Sequence, residues 1–364
     1  MLSLHDTTED IKKFALWGAI AAGGIIILII LFRIGGALIG IFNPPKVLPP
    51  TVALGTLPAL SFPQSVTSEK LTYVNNTLSG ELPAMPDRLL VYKIHQDTGN
   101  LLNLDQAKSG VSAIGFTPDP VSSDAAQIQL SNTQYQWTST TDLPKKITMD
   151  IISKNFVFQS DFMTYPPTLS ASFLPNENDA VQTALGFLTQ VGAPTSDLDL
   201  NKTKTSLLTI QNGTLAEADT IENAQVIEIN FFQKNIGTFP IVYQNPQETP
   251  LNALVASGEF TGQVVQANYF HQTYDDNADS TYPLITPQEA WTSLTNGQAY
   301  IASFNGTTNQ ILINNIYLAY YMTDGPEPYL EPVVVFAGKN NFEAYVPAID
   351  YNKMNALLNP PPRK

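Results

Sequence analysis

The chain of 364 residues contains no cysteine, few charged side chains and only three histidines, His5, His95 and His271. The absence of cysteine excludes disulfides, thiol catalysis, zinc–thiolate sites and iron–sulfur clusters. Charged residues make up 14% of the chain and give a net charge of −14, so the chain lacks the basic surface that nucleic acid requires. No nucleophile, zinc, phosphate-loop or dinucleotide motif occurs. We therefore expect a protein without enzymatic activity, with no catalytic residue, cofactor or metal ion.

A long apolar run near the N-terminus predicts a membrane-spanning helix. Phe14–Phe32 holds nineteen residues without a charge, which as a helix would span roughly 28 Å, close to the hydrocarbon thickness of a bilayer. A second apolar run extends the predicted segment to 14–42. A cleaved signal peptide would have a shorter apolar region of about 7–15 residues. The predicted membrane anchors are Phe14, Trp17, Phe32 and Arg33, the last at the interface.

The orientation of this segment is predicted from composition, because basic residues flank it equally on both sides. The acidic, Thr- and Asn-rich remainder fits the outside of a bacterial membrane. We therefore expect a single-pass cell-membrane protein with a cytoplasmic tail, 1–13, and an extracytoplasmic C-terminal domain. Gly36 and Gly40 form a GxxxG pair that would allow a homodimer through the membrane helix.

The rest of the chain predicts an α+β fold with antiparallel sheets. Six prolines between residues 43 and 65 indicate an extended stalk. Short runs of alternating hydrophobicity then follow, with a minority of helices between them. The predicted units are a first β-rich unit over 66–170, a second region over 171–350 with a sub-boundary near 280, and a tail over 351–364.

Several individual elements are predicted from their patterns. Ile147–Ile151 and Phe156–Phe158 indicate a hairpin, and further strands are expected over 227–231, 261–269 and 310–322. A helix is predicted after Asn178, ending before Gly192. A second begins at the capping box Thr286–Glu289. A third is expected over 103–114.

Three sequence patterns resemble functional sites but favour ordinary structure. Asp97-Thr98-Gly99 matches the aspartic-protease tripeptide, yet no second copy exists to supply the paired carboxylate, so an exposed polar turn is favoured. Asp275, Asn277 and Asp279 alternate as in a calcium loop, but the glycine and the final glutamate are missing, which favours a solvated acidic loop. His95 and His271 could meet in space as a catalytic pair, although one histidine per domain is more often a surface or strand-lining residue.

Aromatic residues are concentrated in the C-terminal region. Core packing is one interpretation of this concentration, and a recognition surface for a peptide, glycan or protein is the other. The candidate partner surface consists of Trp291, Tyr317, Tyr320, Tyr321 and Tyr329.

A series of C-terminal motifs resembles the YycH/YycI regulators, which are related to PepSY-like domains. The motifs are Tyr282–Ala290 with its helix, the strand Ile313–Tyr321, the segment Tyr329–Val333, and upstream the pair Ile229–Gln233 and Ile236–Ile241. The resemblance covers only the C-terminal third. It implies a noncatalytic, membrane-anchored extracytoplasmic domain that binds another envelope or membrane protein.

The leading functional hypothesis is therefore a noncatalytic binding or regulatory protein of the cell envelope, anchored in the lipid bilayer through residues 14–42. A structural surface-layer or appendage subunit is the second hypothesis. An envelope hydrolase that uses two facing carboxylates is the third.

Overall fold

Most of the regular secondary structure is β-strand. The structure is a computed structural model that describes residues 51–119, 124–140, 143–165, 174–258, 263–323, 325 and 327–360, with the backbone alone for 277–279. Within these residues, seventeen strands form two large sheets, and four α-helices lie against them. Residues 50–364 form one structural unit.

The strands are β1 (Thr72–Asn75), β2 (Arg88–Ile94), β3 (Ala125–Gln129), β4 (Gln134–Ser139), β5 (Lys145–Asp150), β6 (Phe156–Ser160), β7 (Lys204–Gln211), β8 (Thr214–Glu217), β9 (Val226–Asn230), β10 (Ile241–Tyr243), β11 (Leu251–Ala256), β12 (Gln263–Tyr269), β13 (Tyr274–Pro283), β14 (Tyr300–Ser303), β15 (Gln310–Met322), β16 (Tyr329–Gly338) and β17 (Glu343–Pro347). The helices are α1 (Asn103–Ala113), α2 (Glu177–Val191), α3 (Pro287–Thr295) and α4 (Tyr351–Leu358).

Nine strands form the first sheet, in the order β3-β4-β5-β6-β12-β11-β9-β7-β8, and every neighbouring pair is antiparallel. The predicted hairpin is confirmed as β5 and β6, in which Ile147 lies opposite Phe158. The predicted strands at 227–231 and 261–269 are confirmed as β9 and β12. Because β6 pairs with β12, strands from both sides of the predicted boundary near 170 lie next to each other in this sheet.

Helix α2 covers one face of the first sheet through Ala180, Ala184 and Leu188, which are buried at the helical spacing of three and four residues. The helix begins earlier than predicted, because Asn176 accepts a hydrogen bond from the backbone N–H of Asp179 and caps it. Helix α1 packs on α2 at Gly110, where a Cβ would collide with the backbone of Val191. A larger residue there would separate the two helices.

Eight strands form the second sheet, which has a mixed topology. Its centre is β15 and β16, the predicted strand at 310–322 being confirmed as β15. One edge of β15 pairs in parallel with β1 near the start of the strand and with β10 near its end. Strand β2 pairs with both β16 and β13 and so lies between them. Strand β16 is buried along most of its length because side chains pack on both of its faces. Such two-sided burial explains why its sequence is almost continuously apolar.

Helices α3 and α4 pack on the second sheet. The capping box is confirmed: the Oγ1 of Thr286 accepts from the N–H of Glu289, whose carboxylate accepts from the N–H of Thr286 at 2.6 Å. Ala290 and Leu294 are then buried against the sheet. Helix α4 begins at Asp350, which caps it by accepting from the N–H of Lys353.

The predicted fold class is wrong. Two large sheets dominate the described chain, with a few helices on their faces, in place of the expected α+β units behind a transmembrane helix. No helix within the described ranges combines the length and apolarity needed to cross a bilayer. The segment 14–42, with Phe14, Trp17, Phe32 and Arg33, lies outside the described residues. The absence of such a helix from the described ranges contradicts the prediction of a single-pass membrane protein with an extracytoplasmic domain.

The described part of the predicted stalk is packed on the second sheet. We call residues 51–66 the N-terminal strap. Val52 donates its N–H to the carbonyl of Thr281 at 2.8 Å. Leu57 is 3% exposed, and the ring of Phe62 stacks on Tyr300 with centroids 5.2 Å apart. Over these residues the chain covers the domain and does not act as a spacer.

Candidate functional site

A groove of about 760 Å³ lies where loops of the two sheets converge. We call it the junction groove. It is lined by the end of β2 and its following loop, the β5–β6 turn, the segment after α2, the β12–β13 connection and the β15–β16 turn. Its polar lining side chains include His95, Asp97, Asp150, Lys154, His271 and Glu327. A groove of this size holds a small ligand or a few residues of a peptide.

His271 is the most buried charged or titratable side chain of this lining. Its side chain is 3% exposed and its Nε2 lies 2.8 Å from the Oδ1 of Asp197. The ring stacks in parallel on Tyr269, with centroids 5.8 Å apart. In the neutral imidazole, Nε2 donates to the carboxylate, which leaves Nδ1 as a hydrogen-bond acceptor. No described residue donates a hydrogen bond to that nitrogen.

Asp197 is held by a small polar network behind His271. The side-chain amide of Gln233 donates to the Oδ2 of Asp197 at 2.8 Å, and the hydroxyl of Tyr243 donates to the Oε1 of Gln233 at 3.1 Å. Burial alone would raise the pKa of Asp197, but the hydrogen bonds from His271 and Gln233 outweigh it and hold the pKa below its usual value. The carboxylate therefore stays ionised and fixes the imidazole orientation.

The β5–β6 turn forms another wall of the groove. The Oδ1 of Asp150 accepts from the backbone N–H groups of Ile152 and Ser153 at 3.0 and 2.9 Å. The hydroxyl of Ser153 also donates to Asp150, at 3.2 Å. Lys154 has a positive φ of 62°, and its Nζ donates to the carbonyl of Asn103 at 3.1 Å. Burial lowers the pKa of Lys154. The hydrogen bonds of Asp150 and Lys154 therefore stabilise the turn, Asp150 from within it and Lys154 by binding α1.

The remaining charged lining groups are acidic and more exposed. The side chain of Asp97 is 48% exposed and lies 3.7 Å from the Nε2 of His95. Glu327 is half-buried in the β15–β16 turn. Because Asp150 is bound within the turn and Lys154 is bound to the carbonyl of Asn103 in α1, Asp97 and Glu327 are the charged groups that can meet a ligand. They are hydrogen-bond acceptors when ionised.

The predicted aromatic partner surface lies largely inside the protein. Tyr320 and Tyr321 are 1% and 2% exposed, and the hydroxyl of Tyr320 donates to the carbonyl of Leu90. Trp291 packs on Phe336, with ring centroids 6.0 Å apart. Tyr317 and Tyr329 are half-buried beside apolar clusters. The structure does not bring these five side chains together as one exposed patch.

The other sequence candidates have mixed outcomes. Asp97 lies in an exposed, irregular connection that is not a turn, and it borders the junction groove together with His95 and His271. Asp275, Asn277 and Asp279 belong to β13, so the expectation of an acidic loop is wrong. The strand pairs with β2, and its register shifts between Asp275 and Asp279. Within the described residues, no group of His, Asp and Glu is arranged to hold a metal ion.

The pairing of Asp197 with His271 is the feature that sequence reasoning missed. The two residues are 74 positions apart. The segment after α2 and the β12–β13 connection bring them together. Neither position carries a local motif, so only the long-range pairing of the first sheet could have revealed it.

Comparisons with known proteins leave the function open. No family model matches the chain, and no curated protein matches it. A crystal structure of an uncharacterized protein from Eubacterium rectale ATCC 33656 is similar, with 12% identity, a TM-score of 0.38, and coverage of 78% of this chain and 90% of that one. A similarity this low carries no argument about fold or function. The resemblance to the YycH/YycI regulators stays a prediction.

Proposed function

We propose that this chain is a noncatalytic binding protein whose junction groove takes a basic segment of a partner protein. The observation that carries the proposal is the chemistry left available in the groove. Asp97 and Glu327 present carboxylates, and Nδ1 of His271, which has no described partner, would accept a hydrogen bond from a ligand when the imidazole is neutral. Lysine and arginine side chains supply positive charge and several N–H donors, which match these acceptors.

The charge of the whole chain supports the same class of partner. A net charge of −14 attracts basic partners over long range and repels acidic ones. Among the described residues of the groove lining, Lys154 is the one lysine, and its Nζ is already bound to the carbonyl of Asn103. A ligand that offers only acceptors would therefore meet few free donors in the groove.

The hydrogen bonds of the groove favour binding over catalysis. An Asp–His pair that activates a serine or threonine nucleophile holds that hydroxyl within hydrogen-bond reach of the imidazole. The hydroxyl of Ser153, which also lines the groove, donates to Asp150. His271 with Asp197 is therefore better suited to receive a donor from a ligand. This role agrees with the regulatory function that the YycH/YycI resemblance implies, and that role stays a proposal.

Calorimetric titration of the full chain at low salt tests this proposal. The probes are a blocked peptide of alternating lysine and arginine, a blocked glutamate peptide of equal length, and spermidine. We expect saturable binding of the basic peptide and none of the acidic one. Equal affinity for spermidine would overturn the assignment to a protein segment, and absence of binding by both cations would overturn the groove proposal.

Variants locate the binding within the protein. The double variant Asp97→Asn with Glu327→Gln should weaken the basic peptide roughly tenfold, because each partly exposed charge pair is worth up to about 1 kcal/mol. Asp219→Asn, an exposed carboxylate outside the groove lining, is the matched control and should bind like the wild type. Equal affinity of all three proteins would place the binding elsewhere and contradict the proposal.

A further inference from the structure

Glu331 is a buried carboxyl that the junction groove does not use. It lies on β16 and is 2% exposed. No lysine or arginine of the described chain forms an ion pair with it. Its hydrogen-bond partner is the hydroxyl of Tyr351 on α4, at 3.2 Å from Oε2. A glutamate is rarely buried without a cation, so its protonation state matters to the surrounding structure.

The hydroxyl of Tyr351 also contacts the N-terminal strap. It accepts the backbone N–H of Leu60 at 3.2 Å, and it lies 3.4 Å from the carbonyl oxygen of Pro58. Two acceptors, Glu331 and the Pro58 carbonyl, therefore compete for one phenolic proton. Which acceptor receives it depends on whether Glu331 carries a proton of its own.

Counting protons gives two distinct arrangements. A neutral Glu331 donates its own proton to the oxygen of Tyr351, and the phenolic O–H is then free to donate to Pro58. An ionised Glu331 has no proton to donate and takes the phenolic O–H for itself, so the carbonyl of Pro58 loses its donor. The neutral form therefore makes one more hydrogen bond to the strap.

Burial and the like charge of Glu327 favour the neutral form of Glu331. Tyr282 on β13 and Tyr351 on α4 lie near its carboxyl, and Tyr329, on β16 with Glu331, lies near Tyr282. On α4, Lys353 is paired with Asp350 at 2.9 Å. The strap contributes no charged side chain between residues 51 and 66. Burial raises the pKa of Glu331 to about 7, partly opposed by the hydrogen bond from Tyr351.

We propose that Glu331 and Tyr351 form a proton-controlled latch that holds the Pro58–Leu60 part of the strap closed when Glu331 is neutral and loosens it when Glu331 ionises. The strap carries Phe62, which packs between Tyr300 and Tyr321 on one face of the second sheet. Loosening the latch would give solvent access to that aromatic face. The latch and the junction groove share one group, because the charge of Glu327 in the groove lining also acts on Glu331, but the latch does not depend on the function proposed for the groove.

Hydrogen exchange of the full chain measures the latch directly at the amide of Leu60, after correction for the intrinsic pH dependence of exchange. If Glu331 titrates near 7 when closed and near its ordinary value of 4.5 when open, protection should fall roughly tenfold from about pH 6 to about pH 8 and then level off. Protection of that amide that does not change with pH would overturn the proposal.

Two variants separate the latch from general effects of pH. Glu331→Gln keeps a donor toward Tyr351 at every pH, so protection at Leu60 should stay high and lose its pH dependence. Glu343→Gln is the matched control, because Glu343 also accepts from a tyrosine hydroxyl, that of Tyr345, at 3.3 Å. It should retain the wild-type pH dependence at Leu60. A pH dependence that survives Glu331→Gln would contradict the latch.

A direct titration keeps the test independent of how the variants fold. In the wild-type protein, the carboxyl carbon of Glu331 observed by NMR should titrate with a midpoint near 7. A midpoint near the ordinary value of 4.5 would overturn the proposal even if both variants misfolded.

Discussion

The carboxyls of Asp197 and Glu331 lie in surroundings that favour opposite charge states. Asp197 lies beside the junction groove and is partly removed from water, whereas Glu331 lies beneath the N-terminal strap and is almost fully removed from it. Asp197 receives hydrogen bonds from His271 and Gln233, which hold its pKa below the usual value against the effect of burial. Glu331 has one phenol and a neighbouring acid, and burial raises its pKa to about 7. Asp197 combines more donors with a side chain that is 34% exposed, whereas Glu331 has one donor and is 2% exposed, so donors and depth both favour the opposite charge states.

The two regions consequently suit different tasks. The carboxylate of Asp197 stays ionised at neutral pH and fixes the ring of His271 at the groove wall. The pair of Glu331 and Tyr351 changes its hydrogen bonds within the physiological pH range. A binding site needs the first kind of environment, and a switch needs the second.

The largest expected effect on stability comes from removing His271, which forms a hydrogen bond with Asp197. His271→Ala should lower the free energy of unfolding by about 2–4 kcal/mol, because it leaves a cavity against Tyr269 and removes a hydrogen bond from a half-buried carboxylate. Urea denaturation measures the change. His95→Ala is the matched control, since the side chain of His95 is 55% exposed, and it should change stability by less than about 0.5 kcal/mol. Similar losses for both variants would contradict the described role of His271.

The second-largest expected effect is a pH dependence of the stability that Glu331 contributes. Its pKa is raised in the folded state, so its contribution to stability is fully present below the unfolded value of 4.5 and is lost as pH rises toward about 7. The wild-type free energy of unfolding should therefore fall by about 2–3 kcal/mol relative to Glu331→Gln over that interval. Denaturant midpoints at a series of pH values measure the difference. A constant difference would show that Glu331 is not held neutral.

Asp197 should show the opposite sign. Its pKa is lowered by folding, so its contribution is present above its usual value of 3.8 and is lost as pH falls through the lower folded value. Asp197→Asn should destabilise the protein by about 1 kcal/mol at neutral pH, and the difference from the wild type should shrink in acid. The same denaturation series provides the measurement. A difference that grew in acid would contradict the arrangement of donors around Asp197.

The smallest effect on stability is expected for the exposed groove carboxylates. Asp97→Asn with Glu327→Gln should change the free energy of unfolding by less than about 0.5 kcal/mol while weakening the basic peptide. Thermal denaturation and calorimetric titration of the same preparation give both numbers. A large loss of stability would mean that these groups support the fold and are not available to a ligand.

Local elements could be predicted from the sequence because their signals lie within a few residues. The β5–β6 hairpin, the strand β15 and the capping box of α3 all follow from alternation or from a four-residue motif. The pairing of β1 with β15 could not be foreseen, since it joins Thr72 to Gln310 in parallel. The fold class was predicted wrongly for the same reason, because the long-range strand pairings that build the two large sheets leave no local signal in the sequence.

The aromatic residues show the same limit at the level of sites. Alternation along β15 placed Tyr320 and Tyr321 on opposite faces, but it could not show that both faces are covered. Tyr92 in the core covers the face that carries Tyr320, and Phe62 of the strap covers the face that carries Tyr321. The groove was not predictable for a related reason, because its walls come from five separate segments.

The most direct test of the central claim is the NMR signal of the ring nitrogens of His271 during titration with the basic peptide. We expect a saturable shift of these signals that follows the calorimetric binding curve and weakens together with it in the Asp97→Asn, Glu327→Gln variant. Saturable binding that leaves His271 unchanged and shifts signals only outside the junction groove would contradict it.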